Sequence, residues 1–315
     1  MNNSTVEISV VSPVYGAEGI VDKLVEAIQA ELSQITPNYE IILVEDGSPD
    51  NSWRKIEENC LRNPLVKGVK LSRNFGQHFA ITAGLQEASG NYVVVMDCDL
   101  QDDPKYIREL YKKIQEGYDI VYTIKKTREH SFFKNMTAAI FFRIFNYLSE
   151  NQAASRAVGS FSMLSRKVVD AFLSIKDTHR HYLMILRVLG FSYTEVIIEH
   201  RKRPEGKSSY TFSKLIKHAL NGITSQSDKL LRISVSLGFF ICLVAILLAG
   251  YLVFNYFANG ALAGYTSLAM LVLLSTGLIL MSIGIAGIYI GKIFDQSKNR
   301  PLYFVDKKLN LTWKK

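Results

Sequence analysis

Between Arg232 and Lys292 the chain has no Asp, Glu, Lys, Arg or His, while basic residues stand on both sides of the gap. Within it, Ile233–Phe257 and Leu268–Ile290 are each long enough to cross a hydrocarbon layer of about 30 Å as a helix. A core helix of a soluble protein seldom comes as two consecutive uncharged runs, so the pair reads as two membrane spans. The short connection through Asn259, Gly260 and Gly264 makes them a hairpin. Lys229 and Arg232 precede it, and Lys292, Lys298, Arg300, Lys307 and Lys308 follow; by the positive-inside rule both termini are cytoplasmic. Tyr251, Tyr256, Tyr265 and Tyr289 fall near the span ends, where amphipathic rings favour the interface. Gly287 and Gly291 form a small-xxx-small pair that suits close helix approach, either inside the hairpin or in a homo-oligomer.

The same gap decides what the net charge of +8 means. A nucleic-acid-binding face needs Lys and Arg to meet phosphates, and a long uncharged stretch does not supply them. A membrane surface and anionic substrates are the expected partners instead, and no nucleic acid. Cys60, Cys98 and Cys242 are odd in number and lack metal-ligand spacing, so they read as reduced thiols. The N-terminus has no basic region followed by a long apolar core, so no cleaved signal peptide is expected.

The first two hundred or so residues alternate compact apolar runs with helical patterns, which predicts an α/β domain built on a doubly wound sheet. Strands are expected at Ile8–Val11 (ended by Pro13), Glu40–Val44, Val66–Leu71, Tyr92–Met96 and Ile120–Thr123, with helices over Ile20–Ile35 and Gln77–Ala88. In such sheets ligands bind beyond the carboxyl ends of the strands. Unusual polar residues stand there: Tyr15 after the first strand, Glu45 and Asp46 after the second, Asp97 and Asp99 after the fourth. No Gly-x-Gly-x-x-Gly opens the first helix and no Walker A lysine loop is present, which disfavours a dinucleotide or P-loop site.

Asp97-Cys98-Asp99-Leu100-Gln101-Asp102-Asp103-Pro104 carries the most chemistry. Two carboxylates one residue apart at a strand end reach one cation, and Gln101 adds a neutral oxygen. An incomplete set of hard oxygen ligands suits Mg²⁺ or Mn²⁺, with substrate phosphates completing the shell. Such an ion would neutralise charge on a departing nucleoside diphosphate. Alone, Asp-x-Asp is a common surface turn; its place after an apolar strand beside a second acidic turn is what favours a metal.

Ser12-Pro13-Val14-Tyr15, Val44-Glu45-Asp46-Gly47-Ser48-Pro49-Asp50, Leu71-Ser72-Arg73-Asn74-Phe75-Gly76 and Met96-Asp97-Cys98-Asp99-Leu100-Gln101-Asp102 resemble the ordered motifs of family 2 inverting glycosyltransferases. The branch most similar is that of bacterial polyprenyl-phosphate glycosyltransferases and dolichol-phosphate mannose synthases. The likeness covers nearly the whole chain, including Arg201–Tyr210 and Arg300-Pro301-Leu302-Tyr303. It implies a GT-A fold with a Rossmann-like, mostly parallel sheet. It also implies transfer of a sugar from a nucleotide sugar, a UDP-sugar first, to a polyprenyl phosphate, for envelope glycan modification at the bacterial inner membrane. Pro13, Tyr15, Glu45, Asp46 and Asp97 would then hold the nucleotide, and Asp97, Asp99 and Gln101 the metal and diphosphate.

Phe132–Leu148 and Phe212–Ile223 have apolar residues on one helical face and basic ones opposite, the pattern both of interfacial helices and of ordinary helices covering a core. The basic loops before them supply phosphate donors: Arg128 before the first, Arg201, Arg203 and Lys207 before the second. The expected organisation is a catalytic domain at 1–211, an amphipathic juxtamembrane helix at 212–232, two spans within 233–291 and a cytoplasmic tail at 292–315.

A phosphate monoester has its second pKa near ~6, so a lipid phosphate is already an anionic nucleophile at neutral pH. This bears on Gly159-Ser160-Phe161, where related enzymes commonly show Gly-Asp-Phe with the Asp as a candidate base. Either no base is needed, or Asp102 or Asp103 serves beside Asp99 in catalysis. Gly16-Ala17 also departs from the usual Asn-Glu, and Glu45 from the usual first Asp of the turn. Two other classes compete. A processive polysaccharide synthase needs more spans and a Gln-x-x-Arg-Trp motif, yet the only tryptophans are Trp53 and Trp313. A tethered nucleotide-sugar sensor without turnover would keep the fold but has no use for an intact Asp97–Asp99 pair.

Overall fold

The computed structural model describes residues 6–125, 158–178, 180–199, 229–259 and 264–311. The chain divides into two compact units, one of Met1–Glu129, Ser155–Ser208 and Arg300–Lys315, the other of His130–Ala154 and Ser209–Asn299.

In the first unit, strands β1 (Ile8–Val14) and β2 (Tyr39–Glu45) are buried at every residue. Successive side chains of a strand point to opposite faces, so an unbroken apolar run is what a strand covered on both sides requires. Val10 and Ile41 join one core cluster with Leu24 and Ile28 of α1 (Val21–Leu32), Ile56 of α2 (Ser52–Arg62) and Leu110 of α4 (Ile107–Gln115). Val11 and Ile42 join a second with Ile81 and Leu85 of α3 (Gln77–Glu87), Phe172 of α5 (Arg166–Ser174) and Ile185 of α6 (Tyr182–Leu189). The result is a three-layer α/β unit. Gly84 lets α3 lie close on the sheet, since a Cβ there would stand 2.3 Å from Val11 Cγ1.

The remaining strands are β3 (Val66–Leu71), β4 (Tyr92–Val95), β5 (Ile120–Lys125), β6 (Val158–Ser165), β7 (Tyr193–Ile198) and β8 (Val305–Leu309). Their order is β7-β5-β6-β4-β1-β2-β3-β8. The pairs β1–β2, β1–β4, β2–β3 and β5–β7 are parallel, and the pairs involving β6 or β8 antiparallel. After β1 the chain winds outward through β2 and β3, then returns to place β4 on the other flank of β1. That reversal opens a crevice at the carboxyl ends of β1 and β4.

Two expectations change. Pro13 does not end β1 but lies within it, opposite Val44. Val11 O accepts from Met96 N on the β4 side and Val14 O from Asp46 N on the β2 side. By alternation the missing N–H of Pro13 faces β4, whose pairing with β1 stops at Val11, so no ladder bond is lost. The segment read as a tail contributes β8, so residues from Arg300 onward belong to the sheet unit.

The second unit contains α7 (Lys229–Asn259) and α8 (Tyr265–Ser297). Ile233, Leu237 and Ile241 of α7 share one cavity lining with Leu278, Met281 and Ile285 of α8. Phe239, Leu247, Phe254, Leu274, Ile290 and Ile293 are largely exposed, an apolar surface that water does not tolerate at this extent. Among the described residues, Leu274–Ser297 is the helical stretch long and apolar enough to cross a membrane, with mean hydropathy 1.9. The expected interface helices at 132–148 and 212–223 lie outside the described residues.

Candidate active site

Three short segments converge at the carboxyl end of the sheet. The turn after β2 is built from its own acids. Glu45, 1% exposed, accepts from Ser48 N–H through Oε1, and its Oε2 is buried without a hydrogen-bond partner among the described residues. Asp46 accepts from Phe75 N–H (2.7 Å) and Gly76 N–H (2.9 Å), one on each oxygen. Burial, with the neighbouring Glu45 charge adding to it, pushes the Asp46 carboxyl above its ordinary range despite those two N–H groups. Gly47 has φ +65°, and a Cβ there would lie 2.3 Å from Asn74 N, so only glycine lets the turn meet the 73–74 backbone.

The loop after β1 is fastened to the same turn. Gly16 N–H donates to Ser48 Oγ (3.2 Å), Ala17 N–H to Ser52 Oγ (2.9 Å) and Glu18 N–H to Asp50 Oδ2 (3.1 Å). Burial works against the Asp50 charge, but its bonds from Ser52 and Glu18 outweigh it and lower the pKa. Gly16 has φ +62°, in the left-handed region that glycine enters without steric cost. Tyr15 presents an aromatic ring 55% exposed at the strand end, open for a flat ligand to stack on.

The third segment follows β4. Asp97 accepts from Gln77 Nε2 on one oxygen (2.6 Å) and from Ser160 Oγ on the other (2.9 Å). Asp99 accepts from the backbone N–H of Gln101 (3.1 Å) across Leu100, which sits in the left-handed region at φ +53°. Cys98, between the two acids, is half-buried, and its thiol is pushed up to about 11, first by desolvation and then by its acidic neighbours. It stays protonated at neutral pH, and a soft thiol suits a hard Mg²⁺ or Mn²⁺ ion less well than the carboxylates on either side of it. Asp102 is 3% exposed; Asp103 caps the 3-10 turn Pro104–Tyr106 by accepting from Lys105 N–H (3.1 Å), with Lys105 Nζ at 3.6 Å.

The structure thus brings Tyr15, Glu45, Asp46, Asp97 and Asp99 to one end of the sheet, with Pro13 buried in β1 beneath them. Arg128, Arg201, Arg203 and Lys207 lie outside the described residues. Sequence reading passes over Gln77, the first residue of α3, and over the bond from Ser160. Only the position of Gln77 at a helix start facing the strand ends hints at its part. His78 Nδ1 accepts from Tyr182 N–H (3.4 Å), and its ring packs on His181 at 4.3 Å.

Asp97 and Asp99 offer hard oxygen atoms one residue apart, and among the described residues no third His, Cys, Asp or Glu completes a cluster with them. A small oxophilic cation that keeps positions for phosphate oxygens and water fits that donor set; a closed structural metal site does not.

A mostly parallel sheet with an Asp-x-Asp at the end of the strand beside β1 is the GT-A arrangement of nucleotide-sugar-dependent glycosyltransferases. The chain belongs to glycosyl transferase family 2, whose family model matches residues 9–173. It is 34% identical over 304 residues to an uncharacterized glycosyltransferase, YkcC, of Bacillus subtilis (strain 168), covering 96% of this chain and 94% of the relative. It is 31% identical over 309 residues to the undecaprenyl-phosphate 4-deoxy-4-formamido-L-arabinose transferase of Proteus mirabilis (strain HI4320), covering 96% and 93%. Among solved structures, glucosyl-3-phosphoglycerate synthase from Mycobacterium tuberculosis, in complex with Mn²⁺, UDP and phosphoglyceric acid, shares the fold. Its TM-score is 0.52 at 16% identity, over 70% of this chain and 76% of that one.

Proposed function

We propose that this glycosyltransferase moves a sugar, with inversion, from a UDP-sugar to a polyprenyl phosphate at the cytoplasmic face of the cell membrane, giving a lipid-linked sugar for envelope glycan modification. The observation that carries the reading is the placement of Asp97 and Asp99 just past β4, beside the Tyr15 and Glu45–Asp46 turns. Alignment over nearly the full length with an undecaprenyl-phosphate transferase supports the acceptor class. The exposed apolar surfaces of α7 and α8, with basic residues on both flanks of the uncharged stretch, support two spans at Ile233–Phe257 and Leu268–Ile290, with both termini cytoplasmic.

In this reading Tyr15 stacks on the base, and Glu45 Oε2, which has no hydrogen-bond partner among the described residues, accepts from a base N–H. Asp97, Asp99 and Gln101 hold Mg²⁺ or Mn²⁺, which supplies charge neutralisation for the leaving diphosphate. Arg128, Arg201, Arg203 and Lys207 bind the lipid phosphate and bring its oxygen in line with the anomeric carbon. One bond forms from that oxygen to the carbon as the bond from the carbon to the diphosphate breaks, and the nucleoside diphosphate leaves. The attacking phosphate carries no proton that must be removed, so Asp102 and Asp103 enter as bases only if the acceptor binds protonated.

The test is transfer of radiolabelled sugar from a panel of UDP-sugars to undecaprenyl phosphate in detergent, with Mn²⁺ or with EDTA. A labelled lipid that depends on the metal supports the proposal. Nucleotide-sugar binding with no lipid product for any donor would favour the sensor reading instead.

A further inference from the structure

The strand that follows α8 reaches the loop holding the acidic residues. Phe304, immediately before β8, accepts a hydrogen bond at its carbonyl from Ser72 N–H (2.9 Å), and its ring lies 6.4 Å from that of Phe75. The Arg73 guanidinium lies 4.2 Å from the same Phe75 ring. Phe75 and Gly76 donate their N–H groups to Asp46, and Gln77 donates its side-chain amide to Asp97. One six-residue stretch, Ser72–Gln77, therefore ties both acidic motifs together, and Phe304, 56% exposed, meets its near end through a backbone carbonyl and a ring contact. The β3–β8 register slips between Lys70 and Leu71, just where the chain leaves the ladder to form this stretch. The far end of β8 is held separately, by Asn310 Nδ2 donating to Cys60 O and Val66 O (2.8 Å each).

We propose that Phe304 is a positioning residue for the donor site: it sets the Ser72–Gln77 stretch and, through it, the carboxylates of Asp46 and Asp97. The segment following the membrane helices is then part of the nucleotide-binding framework rather than a tail. The donor-site half of this rests on the function proposed above; the mechanical half rests on the contacts alone.

The experiment compares the full-length protein in detergent with Phe304→Ala, Phe304→Tyr and Asn310→Ala. Hydrogen–deuterium exchange, which needs no ligand, is expected to rise in Phe304→Ala at the Phe75 and Gly76 amides and to stay unchanged through β1 and β2. Titration with UDP and Mn²⁺ is expected to show binding weakened roughly three- to ten-fold in Phe304→Ala, the range of one lost aromatic contact, and restored in Phe304→Tyr. Asn310→Ala is expected to lower the melting temperature while leaving UDP affinity within about two-fold, because it loosens only the far end of the strand. Unchanged exchange at Phe75 and Gly76 in Phe304→Ala would overturn the inference outright. So would equal losses of UDP affinity in Phe304→Ala and Asn310→Ala, which would reduce the strand to a general stabiliser. Increased exchange in a protein that binds no UDP would leave the mechanical link standing and count against the proposed function.

Discussion

Strand β2 carries a buried acid at each end, and the two are treated oppositely. Glu40, near its start, is 1% exposed and accepts from Ser9 Oγ (2.6 Å), Ser89 N–H (2.7 Å), Ser89 Oγ (2.9 Å) and the Lys67 ammonium. Burial alone would raise its pKa, but those donors and the Lys67 charge outweigh burial and lower it. Asp46, just beyond the other end, is 3% exposed, forms no ion pair among the described residues and rests on two backbone N–H groups. Its pKa is raised. At the amino end of the sheet a carboxylate joins four segments that must come together for the chain to fold. At the carboxyl end, Asp46 is held in place with less compensation, which is the condition of a group kept for a ligand. Substitutions at the two ends should therefore fail in different ways.

The largest effect is expected at the carboxyl end. Asp99→Ala should cut sugar transfer by about a thousand-fold or more, roughly 4 kcal/mol of barrier, with little change in melting temperature. Near-normal transfer by that variant would remove the metal assignment and with it the distinction between the ends. Glu40→Ala should behave inversely. It leaves Lys67 and two hydroxyls without their acceptor, and about 2–4 kcal/mol of stability should go, discounted because Lys67 is partly exposed. The folded fraction should keep its kcat/KM. A kinetic defect without a stability loss would show that the two ends are not separable.

Acid sharpens the same contrast. The folded pKa of Glu40 lies below its ordinary 4.5, so its stabilisation is complete above that value and is lost as pH falls through the lowered one. Asp46 has the opposite sign. Its folded pKa lies above the ordinary 3.8, so its charge costs stability at neutral pH, and that cost is relieved as pH falls through the raised value. Melting curves between pH 7 and 4 should show the gap between wild type and Glu40→Gln narrowing below pH 4.5. The gap for Asp46→Asn should not narrow in that way. Parallel narrowing in both would mean that the two acids are equivalent after all.

The first five strands and the acidic turns are legible in the sequence for one reason: β1 to β5 run through the middle of the sheet, and burial there demands the apolar runs that a reader can see. The strands that escape notice are built differently. β6 includes Ser160, Ser162 and Ser165, and the fully buried Ser162 hydroxyl is satisfied by the Ser160 carbonyl (3.0 Å) and by Tyr182, twenty residues on (2.7 Å). β8 reads Val-Asp-Lys-Lys-Leu, a solvated sequence by composition, yet Lys308 buries its ammonium against Glu87, with both side chains 7% exposed. Its strand state comes from a partner more than two hundred residues away, which no local pattern records. The same limit applies within the site. Asp97 and Asp99 announce themselves by following an apolar strand, whereas Gln77 acquires its part only when α3 brings it to Asp97.

The smallest expected effect tests how the carboxyl end works without the usual acid at position 160. Ser160 Oγ donates to Asp97 Oδ2, so the hydroxyl serves to hold a carboxylate, and a neutral hydroxyl is too weakly basic to take a proton from an acceptor. Removing it in Ser160→Ala deletes one charge-assisted hydrogen bond while Gln77 still holds the other oxygen, and kcat/KM should fall about three- to thirty-fold. Ser160→Asp is the sharper variant. It would set a second carboxylate against Asp97, and like charges at that distance disfavour one another, so transfer should fall further than in Ser160→Ala. If Ser160→Asp instead transfers sugar faster than wild type, removal of a proton limits the natural enzyme. A nucleophile already anionic on arrival would then no longer explain how this site works.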